Sequence, residues 1–150
     1  MTQSLNNILK KFESQQYATE RGKEMHALLQ NIVIDEETIC GDEQIVSMIN
    51  NNLNLKPFFV SNAKTEVPIA GKLNGVFISR RIDRLVIDNN GKTIRFLDYK
   101  SDTDKNVLRD KYVRQLKEYA ELLRSAYPDY KIAGFILWLH DWQLDEVISL

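Results

Sequence analysis

The chain has 150 residues, 43% hydrophobic and 27% charged, with 20 Lys+Arg against 21 Asp+Glu. That balance predicts one globular domain over 1–150 and excludes wholesale disorder. The net charge of -1 excludes a histone-like grip on nucleic acid, though not a local basic groove. The single cysteine, Cys40, excludes an internal disulfide, a cysteine-held zinc site and an iron–sulfur cluster. It suits a reducing, cytoplasmic compartment. No apolar run approaches the ~20 residues needed to cross a bilayer, so no membrane is expected as a partner. MTQSLNNILKKFE lacks the apolar centre of a secretory peptide.

The first third predicts helices. Leu5, Ile8, Leu9 and Phe12 recur at helical spacing. TERGKEMHALLQNIV places Met25, Leu28, Leu29 and Ile32 on one face, with Thr19 as N-cap. GDEQIVSMINN repeats the pattern through Ile45, Met48 and Ile49, and NNNLNLKP breaks it before Pro57. From Phe58 the period changes to two. Residues 58–60 and 64–70 read as short strands, with Pro68 marking an edge. GVFISRRIDRLVID and KTIRFLDYK read as longer strands. A helix over 106–126 ends at Tyr127-Pro128. KIAGFILWL suits a strand buried on both faces, and LDEVISL closes the chain as a strand. The order predicts an α/β or α+β domain, a mixed β-sheet flanked by helices with further helices before it.

Strand parity sorts the central hairpin. Asp83, Leu85 and Ile87 share one face of its first strand; Ile94, Phe96, Asp98 and Lys100 share one face of the second. A two-residue type I′ turn at Asn90-Gly91 makes partner numbers sum to 181. Asp83 then lies opposite Asp98, about 4.5–5.5 Å apart at Cβ. Like charges so placed need a shared proton or a divalent cation, and oxygen ligands suit Mg²⁺ or Mn²⁺. Lys100 projects on the same side as Asp98, where an ammonium can hold a water or stabilise charge on a phosphate. If the loop is Asn89-Asn90 instead, partners sum to 179 and Asp98 meets Arg81 in a surface ion pair worth ~0–1 kcal/mol.

GVFISRRIDRLVIDNNGKTIRFLDYKSD resembles the nuclease signature of the RecB family, within the PD-(D/E)xK superfamily. Its core is matched by Arg81-Ile82-Asp83-Arg84 and Leu97-Asp98-Tyr99-Lys100-Ser101, with an arginine in the pattern's Gly position. The family's Gly-x-x-x-His helix is matched by Gly22 and His26, and its Tyr-x-x-Gln-Leu-x-x-Tyr helix by Tyr112, Gln115, Leu116 and Tyr119. The four motifs run in the family's order from about residue 19 to 140. The likeness is greatest to the C-terminal nuclease domains of AddA- and RecB-type helicase–nucleases, which resect double-stranded DNA ends. It implies a restriction-endonuclease-like fold and His26, Asp83 and Asp98 as metal ligands, joined by the Tyr99 carbonyl. It further implies that Lys100 positions the attacking water and that Gln115 and Tyr119 line the site. DNA is the implied partner; the resemblance implies that these residues are the C-terminal part of a longer helicase–nuclease that carries the motor, with a partner subunit beside it. The related branch with four cluster-binding cysteines is excluded by the lone Cys40.

Several residues carry two readings. His26 is a structural residue or a ligand; as a ligand it favours Mn²⁺ over Mg²⁺. Gln115 bonds a strand end or holds a ligand, water or phosphate. Glu66 is a solvent-facing strand residue or an acid of the site. Arg80, Arg81, Arg84, Lys105, Arg109, Lys111 and Arg114 flank the expected cleft and could meet DNA phosphates, or form a solvated face. Trp138 and Trp142 read as packing, and His140 as a turn residue. The chain has no Walker A pattern, so no motor of its own. Two functions remain in view: a metal-dependent exodeoxyribonuclease, or a non-catalytic module that grips a DNA end or a partner.

Overall fold

The computed structural model describes residues 20–102 and 104–150, together with Leu5. The helix expected over the first dozen residues, and the Thr19 cap, lie outside these apart from Leu5. Helix α1 covers 20–30. A short ribbon follows, β1 (Val33–Ile34) against β2 (Ile39–Cys40). Helix α2 (Glu43–Asn50) starts where the Asp42 carboxylate accepts the N–H groups of Gln44 and Ile45. It buries Ile45 and Ile49 but leaves Met48 43% exposed, so its covered stripe is narrower than the spacing suggests. In the same way α1 buries Leu29 and leaves Leu28 exposed.

Residues 58–60 do not form the expected strand. Pro57, with φ preset near the helical value, starts a 3₁₀ turn over Lys56–Phe59 that buries Phe58 and Phe59. Five strands then build one sheet in the order β3-β4-β5-β6-β7. They are β3 (Lys64–Leu73), β4 (Val76–Asp88), β5 (Thr93–Lys100), β6 (Lys131–Trp138) and β7 (Gln143–Ser149). β3 is an edge, as Pro68 predicts. β5 and β6 run parallel, so a crossover is obligatory, and helix α3 (Lys105–Ala126) supplies it.

Helix and sheet make an α+β fold with a core on each face of the sheet. Leu29, Ile45, Phe58, Val86, Leu97 and Leu137 fill the face under α1 and α2. Leu85, Phe96, Leu116, Tyr119, Ile136 and Trp138 fill the face under α3. β6 is covered on both sides, as its unbroken apolar run requires. Gly134 fits because a Cβ there would sit 2.4 Å from the Phe96 ring. Trp138 is core, Trp142 packs at the margin, and His140 lies in the β6–β7 turn. No described helix is long and apolar enough to cross a membrane.

The two Asn-Gly dipeptides behave differently. Asn74-Gly75 joins β3 to β4 as a two-residue turn with both φ values positive, 52° and 79°, the type I′ signature. Asn90-Gly91 does not form the expected type I′ turn. The Asp88 carboxylate accepts the N–H groups of Asn90 and Gly91 and opens a four-residue loop over 89–92, closed by Lys92 at φ 49°. The partner numbers still sum to 181, as in Leu85↔Phe96 and Ile87↔Ile94. The alternative register, with Asp98 facing Arg81, is not formed.

Candidate functional site

The β4–β5 ladder stops at Arg84↔Leu97. At the next position the Asp83 side chain takes over from the backbone, and Oδ2 accepts the N–H of Tyr99 at 2.7 Å. On the other side of Asp83, Glu66 stands at φ 51° and its backbone drops out of the β3–β4 ladder. Strand alternation slips here too. Ile82 and Leu85, three apart, both face the α3 core, while Arg84 is turned inward. The irregularity thus falls on the residue the hairpin singles out.

Asp98 is only 4% exposed. Its carboxyl is close enough to Asp83 to act on it by charge and by hydrogen bond. Burial first, then Asp98, pushes the Asp83 carboxyl up to about 8, against the pull of the Tyr99 N–H. Lys100 Nζ lies 2.9 Å from Asp98 Oδ2 but donates its hydrogen bond to Gln115 Oε1, also at 2.9 Å. The charge pair is close yet misaligned, and Asp98 Oδ2 stays buried without a hydrogen-bond partner. Lys100 Nζ also stands 4.3 Å from the centre of the Tyr112 ring.

Helix α1 brings the third group. His26 Nδ1 is 3.9 Å from Asp83 Oδ1, and its ring meets the Tyr99 ring edge-on at 5.0 Å between centroids. Burial lowers its pKa, opposed by the charges of Asp98 and Glu66 and by a hydrogen bond to the Tyr99 backbone. A neutral imidazole is the form that binds metals. α1 comes this close because Gly22 has no side chain: a Cβ there would lie 2.7 Å from Ser101 Oγ. An open cavity of about 380 Å³ runs over Gly22, His26, Gln30 and Ser101.

Ligand atoms of His26, Glu66 and Asp83 all lie within 4.8 Å of one another. Glu66 is fixed there by Gln30 Nε2 at 2.8 Å and Arg81 Nη1 at 3.3 Å. No motif flags Gln30; its spacing of four from His26 on one helix is the only signal in the chain. Asp98 lies outside that trio but belongs to the same cluster, beside Asp83 and Lys100 and acting on His26 by charge. A set of one imidazole nitrogen and two carboxylates, with the Asp98–Lys100 ion pair beside it, fits Mg²⁺ or Mn²⁺.

On α3, Gln115 touches Lys100 and Tyr119, and burial raises the Tyr119 hydroxyl well above its ordinary value. Tyr112 donates to Asp102. The basic residues divide. Arg84 is 2% exposed and each of its three nitrogens donates a hydrogen bond inside the protein, so it cannot meet a DNA phosphate; the expectation for Arg84 is corrected. Arg80 pairs with Glu118, Arg81 with Glu66, Lys105 with Asp141 and Arg109 with Asp145. Arg114 and Lys111 are exposed. Compared with known proteins, the chain matches no protein-family model and no curated protein.

Proposed function

We propose that the chain is the nuclease domain of a RecB-type helicase–nuclease. It is a divalent-metal-dependent deoxyribonuclease that hydrolyses phosphodiester bonds as DNA ends are resected for break repair and recombination, in the cytoplasm. The reading rests on one observation above all: Asp83 and Asp98 meet at the end of one hairpin, with His26 3.9 Å from the first and Lys100 2.9 Å from the second. Asp98 is buried and Asp83 half-buried; two carboxyls so close, with the single Lys100 ammonium to balance them, are an arrangement that a divalent cation relieves.

His26, Glu66, Asp83 and Asp98 would hold Mg²⁺ or Mn²⁺, with the Tyr99 carbonyl beside the imidazole. When bound, the ion supplies Lewis-acid activation of water and of a phosphoryl oxygen. Lys100 orients the water and balances charge growing on the phosphate. Gln115 holds the Lys100 ammonium, and Tyr119 backs Gln115. The motor that feeds DNA belongs to the same parent chain, with a partner subunit beside it.

The test is cleavage of linear duplex and single-stranded DNA by the chain in Mn²⁺. Wild type is expected to cut, and Asp98→Ala and Lys100→Ala to lose on the order of 10²–10⁴-fold while remaining folded. A wild type that binds DNA ends without cutting them puts a non-catalytic module in place of the enzyme. Equal cutting by wild type and both variants moves the site elsewhere.

A further inference from the structure

Arg84 is a buried cation that no carboxylate approaches within ion-pair distance among the described residues. An arrangement of this kind is unfavourable unless polar groups of the protein replace the lost water. Here Nη2 donates to the Leu29 carbonyl at 2.6 Å, Nη1 to the Phe58 carbonyl at 3.2 Å and Nε to the Tyr99 hydroxyl at 3.1 Å. The guanidinium also lies 4.2 Å from the centre of the Phe59 ring. The neutral dipoles around it replace water, and they come from three separate segments.

Two of these acceptors lead to His26. Leu29 sits in the last turn of α1, where the helix dipole is negative; its carbonyl accepts the Ile32 N–H at 3.2 Å and has a second lone pair for Arg84. A cation there caps the helix from outside, and His26 lies three residues back on the same face. Tyr99 is the residue whose ring meets the imidazole edge-on at 5.0 Å. So one side chain grips the helix that carries His26 and the ring that packs against it.

We propose that Arg84 is a positioning residue, a clamp that docks α1 on the sheet and so sets the imidazole beside Asp83. It acts through Leu29 and Tyr99 and touches no reacting group. Its importance for chemistry rests on the metal-site reading above; the clamp itself does not.

The test is amide hydrogen exchange with proton NMR of the His26 and Tyr99 rings, in metal-free protein. Arg84→Lys keeps the charge but loses the planar fork that reaches three acceptors. It is expected to speed exchange in α1 at least tenfold more than in α3 and to remove the His26–Tyr99 cross-peaks. Leu123→Ala, in the core under α3, is the control: it destabilises the protein and leaves those cross-peaks in place. Should Arg84→Lys fail to fold, Tyr99→Phe removes one acceptor alone and is expected to speed α1 exchange selectively, by several-fold. Exchange that rises equally in α1 and α3, with the cross-peaks intact, overturns the clamp, as does unchanged α1 exchange in Tyr99→Phe. Addition of Mn²⁺ to wild type separates the two ideas. Loss of the His26 ring signals by paramagnetic broadening supports the metal site; sharp signals sink that reading while the exchange data still decide on Arg84.

Discussion

Asp83 is the residue on which pH acts most visibly. Its carboxyl is raised from an ordinary 3.8 to about 8, first by burial and then by Asp98. Between those values the folded chain keeps a proton that the unfolded chain has released. Its contribution to stability is therefore complete below about pH 4 and is lost as the pH rises through about 8. Thermal melts of the metal-free protein are expected to show Tm falling from pH 5 to pH 8, with Asp83→Asn flattening the fall. Parallel Tm curves for wild type and variant contradict this. Mn²⁺ is expected to oppose the fall in wild type and to do so less in Asp83→Asn. The closeness of Asp83 and Asp98 was legible in the sequence, because apolar alternation on both strands allows few registers, although the ladder itself stops one pair short of them. Glu66 was legible only as one of two readings, and its left-handed backbone, where it leaves the β3–β4 ladder, has no mark in the sequence.

Among the elements, α1 depends on a single close approach. Gly22 faces Ser101 with no room for a methyl group. Gly22→Ala is expected to push α1 off the end of β5, at about 1–3 kcal/mol of stability. Mn²⁺ affinity should fall with it, because His26 rides on the same helix. Ser101→Gly removes both obstructing atoms, so the double variant should recover most of the loss; calorimetry on the four proteins of this cycle measures it. A double variant no better than Gly22→Ala refutes the contact. The Gly-x-x-x-His spacing was visible from the start, yet the partner of the glycine was not, since nothing local ties residue 22 to residue 101. Other departures are local in origin. Pro57 turned an expected strand into a 3₁₀ turn, and Asp88 took one Asn-Gly pair away from the type I′ geometry that the other adopts. Arg84 read as a charge flanking the cleft; it lies on the same face as Val86, which α1 and the 3₁₀ turn cover, so it is inside.

At the scale of the molecule, charge is spread so that little of it is left for DNA. Arg80, Arg81, Lys105 and Arg109 are each held by a carboxylate, and Arg84 is inside. Among the residues flanking the cleft, Arg114 and Lys111 are exposed and make no ion pair with described residues. Binding to duplex DNA should thus depend on salt with a slope of roughly −2 in log–log form, since each phosphate contact contributes about −0.9. Arg114→Ala should make it shallower by about one unit. A slope several times steeper, unchanged by that substitution, would mean that the ion pairs open on binding. The mixed sheet and its crossover helix could be anticipated from the order of periodicities. Which face each helix covers is decided by packing between distant segments, and no window of sequence contains it.

The acids come from β3, β4 and β5, the imidazole from α1, and the amide that steadies Lys100 from α3. A chain emerging from the ribosome carries every acid before the helix that completes the cleft has been made. One protease nick between β5 and α3 should likewise take Gln115 away from Lys100 if the pieces part, and with it the activity proposed above, while His26, Glu66, Asp83 and Asp98 stay on one piece.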